Sequence, residues 1–135
     1  MTKEDLLRSY STIAVVGLTG DRSRPAYGVA EYMQRAGYRI IPVAEGETEV
    51  LGETAYPDLG SVPEPVDIVN IFKRSEQVRP FIDAAIEAGA KAVWMQVGIA
   101  NEEAAAKARA AGLDVVQDTC IRTTHRRMNA GSTNG

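Results

Sequence analysis

Three times along this chain an apolar-striped segment closes on Ala-Gly and gives way at once to residues that favour extended backbone. Ala36-Gly37 precedes Tyr38-Arg39-Ile40-Ile41-Pro42-Val43, Ala88-Gly89 precedes Ala90 to Val97, and Ala111-Gly112 precedes Leu113-Asp114-Val115-Val116. Glycine just past a helix accepts the left-handed conformation that closes the last turn, so each Ala-Gly reads as a helix stop. A helix followed by a strand across a short joint, repeated, is the pattern of crossover units and a parallel sheet. The stripes agree: Ala26, Val29, Ala30 and Met33 share one helical face, as do Val78, Phe81, Ile82, Ala85 and Ile86. Asn101 suits the N-cap of a third helix whose first turn carries Glu102 and Glu103. Pro80 lacks the backbone donor that a helix starting at Ser75 would need, so that helix starts later or irregularly.

The spacing predicts strands over Thr12–Gly17, Arg39–Val43, Val66–Phe72, Ala90–Val97 and Leu113–Gln117, several apolar without alternation, as in a sheet covered on both faces. A short leading helix, capped from Thr2, runs to about Tyr10, and 44–65 reads as a long connection holding a short strand or turn. Right-handed crossovers then give an α/β, Rossmann-like three-layer domain, its five parallel strands in the order 2-1-3-4-5 with one extra short strand allowed. The chain reverses direction across strand 1, and the crevice between the carboxyl ends of strands 1 and 3 is where ligands of such sheets bind. The loops Leu18–Arg24 and Phe72–Ser75 border it, and those after Val43 and Gln96 flank it.

With 135 residues, 44% apolar and 24% charged, one core and one domain over residues 1–128 are expected, followed by a disordered Asn/Gly/Ser/Thr tail over 129–135. No apolar run approaches the roughly 18–20 residues of a membrane span, and the N-terminus lacks the apolar stretch of a signal peptide. One cysteine, Cys120, and one histidine, His125, exclude an internal disulfide and a Cys/His zinc site, and fit a reducing cytoplasm. A net charge of −3 offers no general attraction to nucleic acid or anionic lipid, so an anionic ligand has to be caught locally.

The first loop, Gly17-Leu18-Thr19-Gly20-Asp21-Arg22-Ser23-Arg24-Pro25, has the means. Gly17 leaves room at the strand end, Gly20 lets the backbone turn, and Pro25 suits a first helical turn. Ser23 and Arg24 then stand at a helix N-terminus that favours phosphate. Across the crevice, Lys73 and Arg74 face Arg22 and Arg24, up to four cations over one mouth. Pro42 and Val43 form an apolar shelf suited to a base or a pantetheine arm, and Phe72 either joins the core or covers an adenine. The nicotinamide-dinucleotide fingerprint is not met: the loop is G-x-x-G, not G-x-G-x-x-G, and strand 2 ends Ile41-Pro42-Val43-Ala44 with no carboxylate before Glu45. No Gly-Lys-Ser/Thr follows, which excludes a Walker loop.

At these residues the chain resembles the small CoA-binding proteins of bacteria and archaea, relatives of the CoA-binding domain of the succinyl-CoA synthetase alpha subunit. The resemblance covers about Tyr10 to Met128. It is carried by Ala14-Val15-Val16-Gly17-Leu18, Ser23-Arg24-Pro25, Gly37 to Val43, Leu51-Gly52-Glu53, Pro65 to Val69, Gly89 to Gln96, Gly98-Ile99, Asn101 to Ala104 and Cys120-Ile121. It implies a domain that binds coenzyme A, free or acylated, at the switch point, with the diphosphate over Gly17, Leu18, Thr19 and Gly20 and the start of the next helix. Adenine would lie near Pro42 and Val43, and phosphate charge would meet Lys73 and Arg74. Gln96 and Gly98, at the end of strand 4, complete the candidate set. The chain departs from the family pattern where Ala44-Glu45 replaces Asn-Pro, and where Thr19-Gly20-Asp21 replaces a Pro-rich loop.

Catalytic groups do not assemble. Asp67, Asp114 and Asp118 are scattered, His125 reads as a surface residue, Cys120 as a small buried hydrophobe and Trp94 as core. The phosphorylated histidine of the synthetase belongs to a domain absent from this sequence. The reading is therefore a non-catalytic binding or sensing module. Its alternative is an NAD(P)- or acyl-CoA-dependent enzyme component needing a partner subunit. A regulatory protein partner could dock on the Arg122–Arg127 cations or the acidic Glu45–Glu53 loop.

Overall fold

A computed structural model describes residues 1–133. The chain order is helix α1 (Lys3–Ser9), strand β1 (Thr12–Val16), α2 (Pro25–Arg35), β2 (Arg39–Val43), a two-residue antiparallel pair β3 (Glu49–Val50) and β4 (Glu53–Thr54), and a 3-10 turn at Leu59–Ser61. It continues with β5 (Ile68–Ile71), a 3-10 turn at Ser75–Gln77, α3 (Arg79–Glu87), β6 (Ala92–Met95), α4 (Glu102–Ala110), β7 (Asp114–Val116) and α5 (Ile121–Thr133). The large sheet runs β2-β1-β5-β6-β7, every neighbour parallel, which is the expected 2-1-3-4-5 order.

Strand alternation divides the core. Ala14, Val16, Ile41, Val43, Val69, Ile71, Val93 and Met95 face α3 and α4. Ile13, Val15, Ile40, Ile68, Ala92 and Trp94 face the layer of α1, α2 and α5. Because period-2 alternation sends apolar groups to both faces, strands covered by two helical layers read as unbroken apolar runs. Trp94 is completely buried, and its indole N–H donates to the Thr119 carbonyl at 2.9 Å.

The helix starts follow their local chemistry. Thr2 and Asp5 form a reciprocal capping box on α1, and the Asn101 side chain accepts from the Ala104 amide at 3.0 Å. The chain accommodates Pro80 by taking a 3-10 turn first and placing the proline in the opening turn of α3, where no donor is needed.

Two expectations change at the C-terminus. The segment expected to be a disordered tail from 129 continues α5 to Thr133, and residues 134 and 135 lie outside the described residues. His125 is a buried member of α5 and not a surface residue. Tyr32 Oη lies 2.8 Å from its Nδ1, and Tyr32 and Tyr38 meet its ring edge-on at 5.5 and 5.6 Å. Tyr38 in turn donates to the Leu7 carbonyl of α1 at 2.7 Å, so one aromatic group joins three helices.

Burial holds the His125 imidazole below its ordinary value of 6.5, so the fold favours the neutral ring. The unfolded chain takes up a proton as the pH falls through 6.5 and the folded chain resists it, so stability drops with falling pH in that window. We predict that Tm falls between about pH 7 and pH 5.5 more steeply in the wild type than in His125→Phe. That variant should start about 1 kcal/mol less stable for want of the Tyr32 hydrogen bond.

Candidate ligand-binding cleft

Where β1 and β5 end side by side, the following chain leaves toward opposite helical layers, and a cleft opens between. Its floor is Gly17, at φ +92°, whose amide donates to the Val43 carbonyl at 2.8 Å. A Cβ there would come within 2.7 Å of the Phe72 carbonyl oxygen and 3.3 Å of the Phe72 Cβ. Both the sign of φ and the closeness of β5 restrict this position to glycine.

Two adjoining cavities lie over this floor, of about 520 and 500 Å³. Gly17, Arg24, Phe72, Lys73 and Arg74 line both. The first extends toward β6 over an apolar wall of Pro25, Ala26, Val97 and Ile99. The second extends toward β2, past Thr19, Val43, Ala44, Glu45, Pro57 and Phe81. Three cations thus stand at the junction of the two cavities in a chain of net charge −3. The fourth expected cation, Arg22, lines neither cavity; its guanidinium lies 5.6 Å from the centre of the Tyr27 ring. Lys73 keeps its ammonium 5.8 Å from the centre of the Phe81 ring.

The loop donors are less bare than a glycine-rich turn suggests. The Gly20 amide donates to Glu47 Oε1 at 3.2 Å. The Ser23 hydroxyl and amide donate to Asp21 Oδ1 at 2.6 and 3.0 Å and hold that carboxyl below its usual value, while Asp21 Oδ2 stands 3.6 Å from Arg24. The Asp21 amide donates to Thr19 Oγ1 at 3.2 Å. The Leu18 and Thr19 amides have no acceptor among the described residues.

On the side toward β6, Asn70 and Gln96 form a buried polar pair. Gln96 Oε1 accepts from Asn70 Nδ2 at 3.2 Å and from the Ile121 amide at 3.0 Å, tying β5, the end of β6 and the start of α5 together. The Gly98 amide donates to Asp118 Oδ1 at 2.6 Å. Cys120, half-buried at the entry to α5, is pushed up by burial. Hydrogen bonds from the Thr123 backbone and hydroxyl, the Gln96 side chain and the Arg122 backbone outweigh that effect and leave the thiol below its ordinary value. As expected of a small hydrophobe, Cys120 packs against the core on the α1, α2 and α5 side, though half-buried and with polar neighbours.

Of the candidate residues, Gly17, Thr19, Arg24, Val43, Phe72, Lys73, Arg74, Gln96 and Gly98 come together around the cavities. Four do not line them. The Leu18 side chain is fully buried in the core, leaving only its backbone toward the loop. Gly20 is engaged by Glu47 and Ser23 by Asp21. Pro42 is buried within β2 opposite Val15, its carbonyl accepting from the Tyr56 amide. Sequence reasoning missed Pro57, which lines the β2-side cavity from the long connection after β2, and Glu47, which reaches the glycine turn from the same connection. That segment has no period to place it, and a bridge between Tyr56 and Val43 brings it alongside the sheet. Among the described residues no group of three or more His, Cys, Asp or Glu side chains could hold a metal ion, and no helix is long and apolar enough to cross a membrane.

A five-stranded parallel sheet in this order, covered by helices on both faces, places the chain in the Rossmann-like class of α/β folds. Residues 11–126 match the family described as CoA binding domain, and the chain belongs to that family. It is 39% identical over 122 residues to the uncharacterized protein YneT of Bacillus subtilis (strain 168), covering 90% of each. Among solved structures it is similar to a hypothetical protein from Pyrococcus horikoshii OT3, at 35% identity and TM-score 0.89 over 94% of this chain and 92% of that one. The dinucleotide-forming acetyl-coenzyme A synthetase 1 of Ca. Korarchaeum cryptofilum, in complex with phosphate and ADP, is similar at 26% identity and TM-score 0.73. That match covers 85% of this chain and 28% of the synthetase.

Gly17→Ala is expected to cost about 2–3 kcal/mol in urea unfolding, since the added methyl meets rigid backbone at a left-handed φ. Gly28→Ala, inside α2 with only the flexible Arg122 guanidinium at 3.5 Å, should be neutral or stabilise by up to about 1 kcal/mol.

Proposed function

We propose that the cleft binds coenzyme A or an acyl-CoA, and that the protein is a non-catalytic binding or sensing module. The observation that carries this reading is the sharing of Arg24, Lys73 and Arg74 by two cavities of similar size. A ligand that fits has a negatively charged middle and a bulky arm on each side. Coenzyme A has that form: its diphosphate would meet the three cations and the unpaired Leu18 and Thr19 amides. Its adenosine would enter the cavity beside Val43 and Pro57, and its pantetheine the one lined by Pro25, Phe72, Val97 and Ile99. Membership of the CoA-binding family supports the same ligand. Fixed guanidinium and ammonium groups around phosphate give short, charge-assisted hydrogen bonds, stronger than neutral ones.

A dinucleotide such as NAD is the second reading, favoured by one observation. Glu45, although beyond the end of β2, lines the β2-side cavity and presents a carboxylate that ribose hydroxyls could use. Calorimetric titration with CoA, acetyl-CoA, dephospho-CoA, NAD and ATP separates the two. We expect CoA and acetyl-CoA to bind about tenfold more tightly than dephospho-CoA, as one charge-assisted contact to the additional phosphate would give. Tighter binding of NAD than of CoA would overturn the proposal.

The double variant Lys73→Ala, Arg74→Ala should weaken CoA binding at least tenfold at low salt, with a smaller loss as ionic strength rises. Unchanged affinity at low salt would remove both residues from the site.

A further inference from the structure

The long connection after β2 does more than border the cleft. From it Glu47, half-buried, extends a carboxylate to the glycine turn, where Oε1 accepts from the Gly20 amide at 3.2 Å. Its other oxygen lies 3.8 Å from where a Gly20 Cβ would stand. Gly20 belongs to the stretch whose amides a diphosphate would use, and a single residue, Gly46, separates Glu47 from the cavity-lining Glu45. The loop's amides thus fall into two groups: Leu18, Thr19 and Arg22, with no acceptor among the described residues, and the rest, of which Gly20 is engaged by a carboxylate from outside the loop. A carboxylate on a backbone amide makes the same kind of charge-assisted contact as a phosphate oxygen. Its charge also repels a phosphate approaching the neighbouring amides.

We infer that Glu47 is a tethered competitor for the Gly20 donor of the first loop, so that a ligand placing a phosphate there must first displace the carboxylate. A ligand reaching the cavities without a phosphate at Gly20 leaves Glu47 in place and bears no cost of displacing it. A ligand carrying a diphosphate there must move the carboxylate and the connection that bears it, and takes over the Gly20 amide. The inference rests on reading the cleft as a phosphate site, and deepens that reading by assigning a specificity-determining residue.

The test compares wild type, Glu47→Ala, Glu47→Gln and Glu49→Ala by calorimetry with CoA and with inorganic pyrophosphate, and follows the Gly20 amide by NMR. Glu49 is an exposed acid of the same connection, so its removal reproduces the charge change without the Gly20 contact. Glu47→Ala should tighten both ligands about fivefold at low salt and less at high salt. Glu47→Gln, which keeps the size and a neutral acceptor, should fall between it and the wild type. Glu49→Ala should change affinity less than twofold, and pyrophosphate should shift the Gly20 resonance. Should CoA bind all four proteins alike, or tighten equally in the Glu47 and Glu49 variants, the competitor role is overturned while CoA binding stands. Should CoA bind none while pyrophosphate shifts Gly20 and binds Glu47→Ala more tightly, the competitor role stands and the CoA reading falls. Failure of pyrophosphate to perturb Gly20 in any variant overturns the competitor role whatever CoA does.

Discussion

The cleft depends on one arrangement of backbone: β1 and β5 are hydrogen-bonded neighbours, and the chain leaves their ends toward opposite faces of the sheet. That divergence leaves the space between the two loops, and the contact of Gly17 with the Phe72 carbonyl closes its bottom. Everything charged in the site is referred to this point. Arg24 arrives at the start of α2, at the far end of the first loop, and Lys73 and Arg74 on the residues just after β5. Three cations can therefore converge in a chain that is acidic overall without the rest of the surface being basic.

Much of the architecture is readable because its signals are local and repeated. Gly37, Gly89 and Gly112 each adopt a positive φ just after a helix, which is why the Ala-Gly pairs mark the joints. The alternation of apolar groups between two helical layers makes the strands easy to find and their order follows from the handedness of crossovers. What escapes is what depends on contacts distant in sequence. The connection after β2 reaches the cleft only because Tyr56 pairs beside Val43, and no periodicity announces that. The helix α5 is hidden by composition: Ile121, Thr124, His125 and Met128 hold the i, i+3, i+4, i+7 positions, yet two of them are polar. Such a stripe becomes a buried face only when Tyr32 and the Cys120 carbonyl supply its hydrogen bonds.

The site residues show the same division. Types and spacing find the cations and the glycine floor, since both follow from a strand end. Whether an amide is available is decided elsewhere in the chain: Asp21 satisfies Ser23, and Glu47, from the far side of β2, engages Gly20. A glycine-rich turn read from sequence is therefore a count of possible donors, and the fold determines how many remain open. Among the described residues, the loop amides without an acceptor are those of Leu18, Thr19 and Arg22.

The Gln96 side chain gives the cleft a dependence on the order of synthesis. Its oxygen needs the Ile121 amide as well as Asn70, and Ile121 opens the last helix of the fold. A nascent chain that has already released all five strands from the ribosome still lacks the donor that completes the wall beside Val97 and Gly98. This wall of the cleft is therefore complete only once α5 docks, which makes the helix part of the cleft's framework as much as a layer of the sandwich.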